Sequence, residues 1–193
     1  MQLPAGKHAL KELTGSGIPR KAEHAGPTEA FINSLYWLNR KPVEYTQEAF
    51  DEAVAQGARW GIKAVAFKLA AIDAAYVLKW IPNKKCALGA FTILADVVDE
   101  DGAQLVRVQG SVPEPREDVV SLSGAGHKAD LRWRGMFREW YCDLRIQYDE
   151  SGRFSLEDIC NMLNAGGYYM GVGDYRVEKS GAFGYFSIAA NDA

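Results

Sequence analysis

Between residues 166 and 186 the chain alternates glycine with aromatic rings. It reads Gly166-Gly167-Tyr168-Tyr169-Met170-Gly171-Val172-Gly173-Asp174-Tyr175-Arg176, then Gly181-Ala182-Phe183-Gly184-Tyr185-Phe186. Glycine admits positive φ and lets one backbone pass close to another. Directly after a helix pattern, such a stretch requires a fold that turns tightly near its C-terminal end and sets flat rings beside exposed backbone. That is the make-up of a binding surface. It holds no catalytic constellation.

Upstream, the hydrophobic period changes along the chain. Residues 1–27 are rich in Gly, Pro, Lys and His and read as a flexible arm. Thr28 caps an expected helix to Asn39, with Phe31, Leu35 and Leu38 on one face. Thr46 caps another over Gln47–Gln56, stopped by Gly57. The strongest helix pattern covers Ile62–Trp80, where Val65, Leu69, Ile72 and Tyr76 recur among alanines, and Pro82 ends it. From Ala87 the period is two. Phe91–Val97 reads as a strand whose hairpin partner is Gln104–Gln109 across Asp101-Gly102. Arg116–Leu122, Ala129–Arg134 and Glu139–Tyr148 read as further strands, with a turn at Ser123–Gly126. Ser155 caps a helix ended by Gly166-Gly167, and Tyr185–Ala189 is the last strand.

This order is α+β. The closing run fits the latter part of a ferredoxin-like, RNA-recognition-motif-like antiparallel sheet. The expected organisation is an arm over 1–27 and one α+β domain over 28–193. Within that domain, 28–57 is a helical extension and 58–193 the sheet core. The 193-residue length suits one packed domain.

Charge limits the partners. The chain carries 22 Lys and Arg against 25 Asp and Glu, a net −3, so any nucleic-acid surface must be local. Cys86, Cys142 and Cys160 are three in number and widely spaced, which speaks against a disulfide framework or a zinc site. No signal peptide and no membrane-spanning run is expected, and the expected location is cytoplasmic.

Three segments are candidates for binding. The first is basic: Arg59, Lys63, Lys68, Lys79, Lys84 and Lys85 against Asp73 alone. It reads equally as a solvated helix face with a cationic C-terminal cap. The second interleaves cations with rings: Lys128, Arg132, Trp133, Arg134, Phe137, Arg138, Trp140 and Arg145. Such interleaving suits single-stranded nucleic acid, where bases stack on rings and cations follow phosphates. Asp130, Glu139 and Asp143 are alternative partners for those arginines. The third is the glycine turn, with Tyr175, Arg176, Lys179 and Tyr185. It lacks the GKS or GKT of a phosphate loop and follows a helix instead of a strand.

Catalytic readings are weak. His8, His24 and His127 fall in the arm and in a glycine loop. Glu114, Glu117 and Asp118 lie beside Pro113 and Pro115, in an expected solvent loop. Cys142 and Cys160 read as inert core thiols. No enzyme, cofactor or metal is expected.

The stretches Arg116-Glu117-Asp118, Ala129-Asp130-Leu131-Arg132, Phe137–Trp140, Gly171–Arg176 and Gly184-Tyr185-Phe186 together resemble a group of phage and prophage proteins. The resemblance covers residues 58–189. Tyr175 stands where that group usually has tryptophan, and Val177 where it usually has proline. The final helix, glycine turn and strand also resemble the RNA-binding backbone subunits of CRISPR effector complexes, the RAMP group. These resemblances imply a phage protein in the host cytoplasm that binds single-stranded DNA or RNA without catalysis and forms a homo-oligomer along the strand. The residues expected to carry this are Arg59, Lys63, Lys68, Lys84, Lys85, Lys128, Arg132, Trp133, Arg134, Tyr175, Arg176, Lys179 and Tyr185. The alternative is an inhibitor or decoy of a host CRISPR-type defence complex acting through protein contacts. A virion or scaffold protein is a third reading.

Overall fold

A computed structural model describes residues 26–121 and 129–189. The first helix, α1 (Pro27–Ser34), begins with proline at its first position, where a missing N–H costs nothing. It does not run to Asn39 as the apolar spacing suggests. The Ser34 hydroxyl donates to the Phe31 carbonyl at 2.7 Å and the Trp37 indole to the Ile32 carbonyl at 2.9 Å. Side chains thus satisfy the carbonyls that another helical turn would have used. The β-prone run after Leu35 becomes strand β1 (Tyr36–Asn39). The second helix, α2 (Gln47–Ala55), matches expectation: Thr46 Oγ1 accepts from the Ala49 N–H at 3.1 Å.

Strand β2 (Arg59–Lys63) precedes helix α3 (Ala64–Val77). Trp60 and Ile62 alternate with Arg59, Gly61 and Lys63, a period-two segment that the helix pattern overlapped from Ile62 onward. The remaining strands are β3 (Phe91–Leu94), β4 (Val97–Val98), β5 (Gln104–Gly110), β6 (Glu114–Ser121), β7 (Ala129–Met136), β8 (Trp140–Tyr141) and β9 (Arg145–Tyr148). Every pairing between these strands is antiparallel. β1, β2 and β5 lie side by side, and β5 pairs β4 at one end and β8 at the other. β3 pairs β9, and β6 pairs β7 as a long ribbon.

Two expected strands are broken at one corner. The Asp96 carboxylate accepts from the Arg107 N–H at 2.9 Å and from the Arg145 guanidinium at 3.2 Å, and Arg145 also reaches the Ala95 carbonyl. These side-chain bonds stand in for ladder bonds, so Phe91–Val97 splits into β3 and β4. Glu139–Tyr148 likewise splits into β8 and β9. The hairpin partner of β5 is therefore only Val97–Val98.

Two hydrophobic cores result. In the larger, α3 and the final helix α4 (Leu156–Tyr169) pack with Phe91, Ile93 and Val106. In the smaller, Phe31, Ile32, Phe50 and Trp60 gather α1, α2 and β2 beneath the ribbon, joined by Trp133 and Phe137.

A capping box starts α4: Ser155 Oγ accepts from the Asp158 N–H, and the Asp158 carboxylate accepts from the Ser155 N–H. Gly166 and Gly167 do not end it. A Cβ on Gly166 would lie 2.7 Å from Ala71 N and 2.8 Å from Ala70 C, so the pair marks where α3 presses on α4. A Cβ on Gly167 would collide with the Phe186 carbonyl. Tyr185–Ala189 joins no ladder. It runs along α4, where the Ile188 N–H donates to Asn164 Oδ1 at 2.8 Å and Phe186 meets Phe67 edge-on.

The α+β class stands. The pairings do not make the single sheet, closed by a last C-terminal strand, that a ferredoxin-like unit needs. Nor is 28–57 only helical, since it contributes β1. The expected arm, apart from Gly26 and Pro27, and the turn at Ser123–Gly126 lie outside the described residues.

Candidate nucleic-acid interface

The expected basic and aromatic residues fall in three separate parts of the fold. The glycine turn folds against the β6–β7 ribbon, and its cations are already paired. Arg116 and Arg134 face one another across the ribbon. Arg134 Nε donates to Asp174 Oδ2 at 2.7 Å, tying the ribbon to the turn. Arg116 Nε donates to Asp118 Oδ1 at 2.9 Å, and its guanidinium sits 4.1 Å from the centre of the Phe183 ring. Arg176 chelates Glu178 and also reaches the Gly173 carbonyl, and Lys179 donates to the other oxygen of Glu178 at 3.0 Å. Hydrogen bonds from Lys179 and then Arg176 hold the Glu178 carboxyl below its ordinary value.

Rings nonetheless project from this region. Tyr175 (φ +55°) lies beside Phe183, and Tyr185 beside Tyr168; all four are exposed. Trp133 is not available for stacking. It is half-buried, on the ribbon face opposite Arg134, and packs into the smaller core. Arg132 stands opposite Asp118 in the ribbon register. Lys128 and the three histidines lie outside the described residues.

The second group lies along α3 and beyond its end. Lys84 donates to Asp73 at 2.9 Å and lies over the Tyr76 ring, and that bond raises its pKa. Lys85 is exposed on the short 3-10 turn Lys84–Ala87. Lys68 has its ammonium 5.9 Å from the centre of the Phe91 ring.

The third place is the outer face of the large sheet. Gly61 has Tyr36 opposite it on β1 and Arg107 opposite it on β5. Arg59 and Lys63 lie two residues to either side on β2, so all share one face. Gln109 stands opposite Tyr141 on the same face. Arg59, Lys63, Arg107, Tyr36 and Tyr141 are all exposed, whereas Trp60, Val106 and Val108 on the reverse face are buried. The Lys63 ammonium sits 5.3 Å over the Tyr36 ring. Among the described residues neither Arg59 nor Arg107 has an ion-pair partner. The space over Gly61 is filled: an added Cβ would lie 2.8 Å from Leu38 Cδ2, so Leu38 covers the centre of the face and the exposed cations and rings surround it.

Of the expected residues, only Arg59 and Lys63 belong to this face. Tyr36, Arg107 and Tyr141 were missed. A period-two reading of Arg59–Lys63 would have located it, because the alternation places Arg59, Gly61 and Lys63 together.

Glu114, Glu117 and Asp118 lie on strand β6 instead of in the expected solvent loop, with Glu114 paired to Arg138 at 2.8 Å and Asp118 to Arg116. Burial, and then the nearby carboxylates Asp143 and Asp96, push the Cys142 thiol up to about 12. No group of three metal-ligating side chains occurs among the described residues, and no helix there is long and apolar enough to cross a membrane.

Comparison with protein-family models, with curated proteins and with solved structures returns no match.

Proposed function

We propose that the chain binds single-stranded nucleic acid, without catalysis, on the outer face of the sheet around Gly61. The observation that carries this reading is the pair of unengaged guanidiniums, Arg59 and Arg107, beside Lys63 and two exposed tyrosines. Phosphates would follow the cations while bases stack on Tyr36 and Tyr141, each stack contributing about 1–3 kcal/mol. The net charge of −3 makes the attraction local, so affinity falls steeply with salt. Self-association along the strand belongs to the same reading. Val119 and Leu131, opposite one another on the ribbon and both exposed, supply an apolar contact for a second copy. A phage origin and a host cytoplasm belong to this proposal.

Fluorescence anisotropy with labelled oligo-dT and oligo-rU at low and moderate salt tests it. Arg59→Glu with Arg107→Glu should abolish binding, and Arg176→Gln should leave it nearly unchanged. No binding by the wild type at low salt, or equal loss in both variants, rejects the sheet as the site.

A second reading rests on the rings of the glycine turn. Tyr168, Tyr175, Phe183 and Tyr185 are exposed while the neighbouring Arg116, Arg134 and Arg176 are neutralised. Uncharged tyrosine-rich surfaces suit protein partners better than phosphates. A phage-encoded inhibitor of a host defence complex would use that surface. Capture of such a complex that survives nuclease treatment, and is lost with Tyr175→Ala and Tyr185→Ala, supports this reading.

A further inference from the structure

A cavity of about 370 Å3 opens where α3 ends and α4 begins, lined by Trp80, Ile81, Phe154, Asp158, Asn161 and Met162. Its size lies at the lower end of the range for small-molecule sites. Ile81 and Met162 are buried and form the floor, while Trp80 stands half-exposed as a flat wall.

Its polar groups are solvent-exposed and keep hydrogen-bonding positions that the described protein atoms do not fill. Asp158 and Asn161 are three residues apart on α4 and so share a face. Asp158 Oδ2 is taken by the Ser155 N–H and hydroxyl, and these bonds keep the carboxyl ionised. Oδ1 has no partner among the described residues, and the same holds for the Asn161 amide and the Trp80 indole N–H. An acceptor, an amide that both donates and accepts, and an aromatic wall therefore converge on one small apolar space.

The surroundings decide the kind of occupant. A purely apolar ligand would strip water from Asp158 and Asn161 and return no hydrogen bond. An alkylammonium would meet Asp158 but also the Arg153 guanidinium. That guanidinium is 5.5 Å from the centre of the Phe154 ring, which lines the cavity. A flat ring carrying N–H donors, with an anionic tail, matches both parts.

We propose that this cavity is a nucleotide site. It holds an amino-bearing base, adenine or cytosine, against Trp80, with the exocyclic amine donating to Asp158 Oδ1. The Asn161 amide pairs with the adjacent ring nitrogen, and the phosphate lies toward Arg153. Uracil presents a carbonyl where the amine is required and leaves Asp158 unpaired. The site does not depend on the sheet-face reading, since it lies at the end of α3 and shares no residue with the face around Gly61.

Titration of the full chain with AMP, CMP and UMP, followed by calorimetry and by the Trp80 indole N–H resonance, tests this. Trp80→Phe assigns the resonance. AMP and CMP should shift that signal and bind about tenfold more tightly than UMP, the difference expected for one charge-assisted hydrogen bond. Asn161→Ala should lower AMP affinity about tenfold, with unchanged thermal unfolding showing that the fold is intact. The proposal is overturned by equal affinities for AMP, UMP and ribose 5-phosphate, or by an indole signal unmoved by AMP. It is overturned equally if AMP binding is lost in the Arg59→Glu, Arg107→Glu variant, because the nucleotide would then lie on the sheet.

Discussion

Gly166→Ala separates two physical effects that predict opposite signs. Gly166 lies inside α4, three residues before its end. By helix propensity alone, alanine there should stabilise the protein by about 1 kcal/mol. The packing says otherwise. The new Cβ would sit 2.7, 2.8 and 2.9 Å from Ala71 N, Ala70 C and Ala71 Cα. All three are backbone atoms of α3 and cannot rotate away. Ordinary carbon contacts lie at about 3.5–4.0 Å, so the helices must part by about 1 Å along a seam that holds Phe67, Ile159 and Leu163. Overpacking of this kind costs about 1–3 kcal/mol, and a rigid helix pair belongs at the upper end. The net effect is a loss of about 1–2 kcal/mol, a fall in Tm of about 2–8 °C for a chain of this length. Thermal and urea unfolding followed by circular dichroism measure it. Gly89→Ala is the control, with nothing within 4 Å of the added Cβ and no positive φ, and should be nearly neutral. A Gly166→Ala protein more stable than wild type would mean that the two helices do not meet backbone to backbone.

Trp60 Nε1 is buried without a hydrogen-bond partner, whereas Trp37 Nε1 donates to the Ile32 carbonyl. Trp37→Phe should therefore cost about 1 kcal/mol more than Trp60→Phe in urea unfolding, despite the deeper burial of Trp60; the reverse order contradicts the assignment. Cys142, its thiol pushed up to about 12, should resist a thiol-specific disulfide reagent at pH 8 until the protein is unfolded, and rapid native labelling at that position would refute its burial. The Asp158 carboxyl is held below its ordinary value by the Ser155 N–H and hydroxyl. Its contribution is complete above the unfolded value of about 3.9 and is lost as pH falls through the lower folded value. Asp158→Asn should accordingly flatten the acid limb of the stability curve below about pH 4, as read by unfolding at several pH values, while an unchanged limb excludes the carboxylate as its source.

Local chemistry was legible in the sequence where it was self-contained. Thr46 and Ser155 cap the helices expected of them because a hydroxyl three residues from its N–H needs nothing from the rest of the chain. Elements that depend on distant partners were not legible. Tyr36–Asn39 carries an apolar spacing that fits a helix, and becomes a strand because β2 lies alongside it. Gly166-Gly167 looks like a helix stop until Ala70 and Ala71 are brought against it. Charge was the least legible property of all. Arg134 finds Asp174 forty residues away, and Lys84 finds Asp73 on the preceding helix. Arg107, by contrast, sits among alternating apolar residues in β5, yet it emerges on the outer sheet face with no ion-pair partner among the described residues.

That division of the cations bears on which surface can meet a phosphate. The glycine turn is closed by backbone bonds: Val172 N–H to the Gly184 carbonyl at 2.9 Å, Phe183 N–H to the Tyr175 carbonyl at 3.2 Å, and Gly181 N–H to the Arg176 carbonyl at 3.0 Å. At Gly181 and Gly184 the chain passes a carbonyl more closely than any Cβ would permit. Swinging Arg134 outward would break its bond to Asp174, and swinging Arg176 outward would leave Glu178 with Lys179 alone and give up the Gly173 carbonyl, loosening a turn held in place by those contacts. The arginines there are tied to the shape of the turn, and the rings are what it presents. Among the described residues Arg59 and Arg107 have no such ties. A strand reaching the sheet breaks no ion pair to engage them, so nucleic-acid affinity should depend on those two residues and protein capture on the rings of the turn.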